Sequence, residues 1–419
     1  MKKILCLFDH LARTGYGIVS EQLIAHLLNH FGKDYAYHIV ATNYFGEPVK
    51  TVIDGEVVVY VESGKLSQNL EKTPEHLEQD VFGRMVFLER LAAMDFDGIF
   101  IMQDLGIIQP MIEHLAVLKD AKRKANRKQF KSIFYFPVDG DIAQKYYENL
   151  EFFDKLITYT EYGKKQASAA NPKVKGKISV IPHGTSKSDY QVLDAKEVLK
   201  FRKDYFNDEN NELFIIGAIN RNQPRKDIPA TIFGFLEAKN NWQNQSKRPF
   251  LYLHMHPEDP NGWKLRDILD KLNLVEGYDY MFPKTDDANY QVDTKTMSLI
   301  YNTIDVYVST SRGEGWGLSA TEAMACGRLC ILPNHTSYTE IGRNRALFIE
   351  YYFKTCTVDD NVIRDTCDYE DVGAKIIDAY ELVESDKEGD LIFEALLFTF
   401  SLRWADVCKK WFLIVKETY

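Results

Sequence analysis

Short apolar runs alternate with stretches of helical spacing along the whole chain. Residues 3–8 (Lys-Ile-Leu-Cys-Leu-Phe) form a brief apolar run, the pattern of a strand buried on both faces. Ile18, Leu23, Ile24, Leu27 and Leu28 then recur at a helical period. In the first half the alternation continues with strands at 37–42 and 57–61, a helix over 81–94, and strands at 98–102, 132–136, 156–160 and 178–182. Strands are predicted again at 213–219, 250–253 and 306–308, with a strand end at 280–283. Helices are predicted at 228–238, 265–274 and 296–302. A strand at 329–333 and helices at 372–384, 391–400 and 401–417 complete the pattern. Such alternation predicts an α/β protein with a doubly wound sheet in each half. No internal repeat is visible, so the halves share an architecture without a sequence period.

One stretch breaks the pattern in a chemically useful way. The strand at 306–308 leads into Ser311-Arg312-Gly313-Glu314-Gly315-Trp316-Gly317, and helix-forming residues run from Leu318 to a stop at Gly327. The glycines let backbone approach a ligand, and the free N–H groups of the helix start favour an anion. Glu314 in the loop and Glu322, expected two turns into the helix, can accept bonds from hydroxyl groups. Phosphate beside hydroxyls describes a nucleotide-sugar. The alternative is a plain strand-turn-helix with solvated glutamates. A second loop follows the strand at 213–219: Asn220-Arg221-Asn222-Gln223-Pro224-Arg225-Lys226-Asp227. Fixed cations there could neutralise a diphosphate leaving group without a metal.

Glu314 and Glu322, with seven residues between them and Ala323-Met324-Ala325-Cys326-Gly327 after them, resemble the Glu-x7-Glu motif of retaining GT-B glycosyltransferases of family 4. Arg221 and Lys226 repeat that family's spacing of diphosphate-binding Arg and Lys, with Arg225 an alternative to Lys226. Pro182-His183-Gly184 resembles its turn at the end of the first domain. The resemblance implies two Rossmann-like domains facing a cleft: an acceptor-side domain over 1–184, a donor domain over 185–395, and a C-terminal helix over 396–419 crossing back to the first domain. It implies Glu314 by the donor sugar, Glu322 on the ribose, and donor contacts from Gly315, Trp316, Gly317 and Leu318. Phe282 falls where the family holds the base. Gly15, Tyr16 and Gly17, read as a glycine loop after the first strand, border the donor phosphates and the acceptor, and Tyr16 either stacks on substrate or shields the loop. The family often carries a His at the end of the strand at 132–136. Here Pro137 stands about there with Asp139 just beyond, and Asp139 either orients the acceptor hydroxyl or caps the next helix.

The implied activity is a metal-independent retaining transfer of a hexosyl or pentosyl group from a nucleotide-diphosphate sugar, UDP-sugar among them, with no cofactor. The first-half glycine loop, residues 222–226 and 137–140 resemble a branch common in bacteriophage and other microbial genomes. Hydroxymethylated phage DNA therefore joins glycan and lipid as a possible acceptor. The alternatives are a nucleotide-sugar epimerase and a non-catalytic nucleotide-sugar-binding protein. A dehydrogenase is disfavoured, because Ser20 stands three after Gly17 and no Gly-x-Gly-x-x-Gly fingerprint forms.

Composition narrows the picture. The 419 residues, 45% hydrophobic and 27% charged, suit more than one globular domain. A net charge of −10 argues against a general nucleic-acid binder. One local exception is Lys119, Lys122, Arg123, Lys124, Arg127, Lys128 and Lys131, read as a helix end that is either a solvated face or a patch for an anionic acceptor. Cys6, Cys326, Cys330, Cys356, Cys367 and Cys408 form no metal-binding spacing and read as buried, reduced thiols. Asp9 and His10 interrupt the apolar start before a leader could form, and no run reaches membrane-helix length. The expectation is a cytoplasmic protein without a metal site.

Overall fold

The N-terminal apolar run becomes β1 (Lys2–Phe8), whose residues Ile4 to Phe8 are fully buried. In the computed structural model, residues 1–64, 82–186, 188–243, 245–285, 287, 290–356 and 361–419 are described, Tyr351 and Tyr352 by backbone alone. The chain divides into two units. One comprises Met1–Val138, Ala143–Gly184 and Trp404–Tyr419, and the other comprises Asp139–Ile142 and Thr185–Arg403.

The first unit is built on β1, β2 (Tyr35–Ala41), β3 (Val49–Ile53), β4 (Glu56–Ser63), β5 (Gly98–Met102), β6 (Lys131–Phe136), β7 (Lys155–Thr158) and β8 (Ile178–Val180). Their order is β3-β4-β2-β1-β5-β6-β7-β8, parallel except for β3, which runs antiparallel on β4. β3 has no counterpart among the expected strands. It is an exposed edge strand, so neither a buried run nor an alternation marks it. The first helix is Gly15–Phe31, so Gly15, Tyr16 and Gly17 form its first turn rather than a loop before it. The reason is Thr14, whose hydroxyl accepts the Gly17 N–H at 2.9 Å and takes the N-cap. The helix expected from Val81 is Arg84–Ala93, and Val81 itself lies outside the described residues.

The second unit holds β9 (Leu213–Ile219), β10 (Arg248–His254), β11 (Tyr280–Met281), β12 (Val306–Val308), β13 (Leu329–Pro333) and β14 (Leu347–Ile349) in the order β11-β10-β9-β12-β13-β14, all parallel. Phe214, Ile216, Leu251, Leu253, Val306, Val308 and Ile331 face its core. β15 (Tyr351–Cys356) and β16 (Ile363–Cys367) pair antiparallel as a separate ribbon. This ribbon and β14 were not anticipated, being short or polar. The last helices are Tyr369–Glu384, Gly389–Ser401 and Trp404–Thr418. The break before Trp404 arises where the Thr185 N–H donates to the Leu402 carbonyl at 2.8 Å, diverting it from the helical ladder. Residues 396–403 thus stay with the second unit, and only Trp404–Tyr419 belongs to the first. Cys356 is exposed, against expectation, while the other five thiols are buried. Among the described residues no helix is long and apolar enough to cross a membrane.

Candidate active site

In the second unit the chain reaches β10 and β11 on one side of β9, then crosses to β12 on the other. Ligands of open α/β sheets bind beyond the C-terminal ends of strands at such a reversal. The two loops singled out above leave the sheet there, one after β9 and one after β12. They are stitched together. Arg312 N donates to the Arg225 carbonyl at 2.8 Å, and Thr310 Oγ1 to the Asp227 carbonyl at 2.9 Å. Arg312 Nε lies 2.9 Å from the Asp227 carboxylate. Asp227 itself takes a left-handed conformation (φ 47°) at the head of the helix Ile228–Asn240, with Pro229 in its first turn.

This stitching converges on Glu314. One of its carboxylate oxygens pairs with Lys226 Nζ, and the other lies 3.0 Å from Arg225 Nη1. The Glu314 N–H donates to Thr336 Oγ1 at 3.1 Å. Burial alone would raise its pKa, but Arg225 and Lys226 outweigh burial and hold the carboxyl at about 2. The same burial acts on Lys226, together with repulsion from Arg225, and lowers the ammonium to about 8 despite Glu314. Both shifts are downward, which favours the charged form of Glu314 and disfavours that of Lys226, because one carboxylate serves two cations: its charge is secured, and theirs is only partly compensated.

Asp139, which belongs to this unit, joins the cluster. Its Oδ2 lies 3.4 Å from Arg225 Nε and 3.0 Å from Arg364 Nη2. It caps no helix, since a one-turn 3-10 helix begins only at Gln144. Arg364, buried on β16, was missed from the sequence, as were Arg312 and Asp227. Arg221 is not brought into the cluster. Its side chain is exposed and donates to Asp259 at 3.0 Å.

Gly317 carries a φ of 108°, open to glycine and strained for other residues, and it starts the helix Leu318–Ala325. Gly315 and Trp316 are buried in the loop, and the Trp316 carbonyl accepts from Ser337 Oγ at 2.7 Å. Glu322 is the fifth residue of that helix, so it lies little more than one turn in, not two. Tyr301 OH donates to it at 2.8 Å. Desolvation pushes Glu322 up to about 7, aided by Asp189 and opposed by the Tyr301 bond. Phe282 is buried at the end of β11 with the Arg266 guanidinium 4.9 Å from its ring centre.

Gly15, Tyr16 and Gly17 belong to the other unit. There Tyr16 OH donates to Asp104 Oδ1 at 2.8 Å. The basic run of that unit is not one helix end, because the helix Leu105–Lys124 stops before Arg127, Lys128 and Lys131. Every base in it has an aspartate partner. Lys119 and Lys131 face Asp154, Lys122 and Arg127 face Asp95, Arg123 and Lys124 face Asp120, and Lys128 faces Asp97. Lys122 is buried rather than solvated.

The comparisons with known proteins bear on the loop and helix that carry Glu314 and Glu322. Residues 289–378 match the glycosyl transferases group 1 family. That span includes both glutamates and Arg364, and excludes Arg225, Lys226 and Asp139. The fold is shared with HepE of Anabaena in complex with UDP and glucose, at 13% identity, a TM-score of 0.65, and coverage of 99% of this chain and 100% of that one. Sucrose-phosphate synthase of Thermosynechococcus elongatus matches at 15% identity and a TM-score of 0.67, with coverage of 100% and 99%. An α,α-trehalose-phosphate synthase (UDP-forming) of Burkholderia vietnamiensis matches at 11% and 0.66, with coverage of 99% and 98%. The fold is therefore α/β of the GT-B type, with two Rossmann-like domains. No curated protein matches the chain in sequence.

Proposed function

We propose that this protein is a cytosolic, metal-independent glycosyltransferase of the retaining kind that moves a sugar from a UDP-sugar to an acceptor hydroxyl. The observation that carries the reading is the Glu314 cluster, a buried ionised carboxylate shared by Lys226 and Arg225 where two adjacent strands end. Lys226 and Arg225, set against Glu314 and Asp139, are the cations that would meet a diphosphate. Support for UDP comes from HepE, solved with UDP and glucose, and from the UDP-forming synthase.

In this reading Lys226 and Arg225 hold the diphosphate, and Arg221 adds a cation from the same loop. Glu322 accepts the ribose hydroxyls, Glu314 lies against the sugar, and Gly315, Trp316, Gly317 and Leu318 line the donor. The bond between the sugar C1 and the diphosphate oxygen breaks, and its electrons leave with UDP. The acceptor oxygen attacks C1 on the face that UDP leaves, and its proton passes to the departing phosphate. The paired basic run offers no specific support for an anionic acceptor, so glycan, lipid and hydroxymethylated DNA all supply the hydroxyl that this chemistry needs.

The test is calorimetric titration with UDP, followed by UDP-release assays across a panel of UDP-sugars with and without EDTA. Binding of UDP, and EDTA-insensitive release of UDP with an α-linked product from an α-linked donor, is the expected result. No binding of any nucleoside diphosphate would remove the reading.

A further inference from the structure

Arg364 reaches the cluster from an element that the rest of the site does not use. It lies on β16 of the antiparallel ribbon, with its side chain buried. Two of its atoms grip one residue: Nη2 lies 3.0 Å from Asp139 Oδ2, and Nε donates to the Asp139 carbonyl at 3.2 Å. A second attachment holds the same segment to the same strand. Asp141 N donates to the Ile363 carbonyl at 2.8 Å, and Ile363 N to the Asp141 carbonyl at 3.1 Å. On its other side Asp139 abuts the glycine loop. A Cβ built on Gly313 would stand 1.8 Å from the Asp139 carbonyl oxygen, so only glycine allows this approach. The Asp139 carboxylate is thus placed within reach of Arg225, and Arg225 has two carboxylates to choose between. Asp139 lies at 3.4 Å and Glu314 at 3.0 Å.

We propose that Arg364 is a positioning residue that neutralises Asp139 and so leaves Arg225 directed at Glu314 and at the diphosphate of a bound nucleotide. The proposal rests on the UDP-sugar reading above. A guanidinium suits this role because its fork can hold a carbonyl and a carboxylate of one residue together. Among the described residues, Lys226, Arg225 and Arg364 then stand against Glu314 and Asp139. Without Arg364, the Asp139 carboxylate keeps its place through the Asp141–Ile363 pairing and competes for Arg225 with the phosphate. Asp139 in this account is a counter-ion under control, not a group that touches the acceptor.

The experiment is calorimetric titration of UDP and of UMP into the full chain and its variants, with a melting curve for each. Arg364→Met should weaken UDP roughly tenfold and UMP less than about twofold, because the terminal phosphate is what Arg225 would meet. Asp139→Asn should tighten UDP or leave it unchanged. Combined with Arg364→Met it should bring UDP affinity back to within about threefold of the wild type. Arg364→Lys keeps the charge and loses the second contact, so its UDP affinity should lie between those of the wild type and Arg364→Met. A structural role alone would weaken UDP and UMP together and would not be suppressed by Asp139→Asn. Equal loss of both nucleotides, unchanged UDP affinity in Arg364→Met, or a double variant no better than the single one overturns the proposal while the transferase reading stands. If Arg364→Met does not fold, Arg364→Lys and Asp139→Asn decide the matter. Weaker UDP binding in Asp139→Asn, or an Arg364→Lys indistinguishable from the wild type, overturns the proposal. A wild-type protein that binds no UDP removes both the reading and the proposal.

Discussion

Lys226 and Glu314 pair across 88 residues of chain, one at the end of the loop after β9 and the other in the loop after β12. The pair exists because β9 and β12 are neighbours in the sheet, with Ile216 opposite Val306 and Gly217 opposite Tyr307. If Lys226 stabilises a diphosphate leaving group, Lys226→Ala should lower turnover by roughly 10- to 1000-fold, the range expected when a partner of developing charge is lost. Arg221→Ala is expected to fall in the same range. Steady-state UDP release in each variant is the check. Normal rates in both would discard the diphosphate assignment, and a normal rate in Arg221→Ala alone would leave Lys226 and Arg225 as the cations that hold it.

The pH dependence of UDP binding should be bell-shaped. Desolvation holds Glu322 at about 7 and lowers Lys226 to about 8. Below about 7 the ribose loses an ionised acceptor, and above about 8 the diphosphate loses a cation, so affinity should peak between them. Titrations from pH 5.5 to 9.5 should show both limbs. Glu322→Gln should flatten the acidic limb and Lys226→Arg the basic one, since a guanidinium stays charged there. A flat profile in the wild type would contradict both assignments.

Glu322 should also cost stability in the unliganded protein. Its folded pKa stands above the ordinary 4.5, so the neutral form is favoured on folding. The contribution is therefore fully present below about 4.5 and is lost as pH rises through about 7. Glu322→Gln should add stability at pH 8 on the order of 1–3 kcal/mol, read as a higher melting temperature, and have little effect at pH 4. Tyr301 can still donate to the amide oxygen. A pH 8 melting temperature at or below that of the wild type would show that the carboxylate is not destabilised where it lies.

Arg123 and Lys124 share Asp120 on the surface of the helix Leu105–Lys124. Exposed pairs of this kind contribute little and are screened by salt. The variant Arg123→Glu with Lys124→Glu should fold normally, bind UDP as the wild type does, and leave acceptor kinetics unchanged at low salt. A raised acceptor KM that shrinks as salt is added would instead indicate an anionic acceptor held by this segment. Lys122 is unsuited to the test, since it is buried with its ammonium on Asp95 and the Met94 carbonyl.

The sequence alone determined the α/β architecture, because a strand buried on both faces must be a continuous apolar run and the helices between must show one apolar stripe. β1, β9 and β12 were legible for that reason, and so was the glycine loop from Gly313 to Gly317. Strands without such a signature were not. β3 is an exposed edge, and β15 and β16 form a ribbon outside the sheet's core. The start of the first helix was misplaced because a threonine cap, not the glycines, sets it. Glu314, Lys226 and Arg225 were recognisable as chemistry, but their meeting was decided by strand order, which no local pattern encodes. The same holds for Arg364 and Asp139, 225 residues apart. An arginine on a short polar strand looks like any surface charge until packing buries it and supplies the carboxylate, and only the tertiary structure does that.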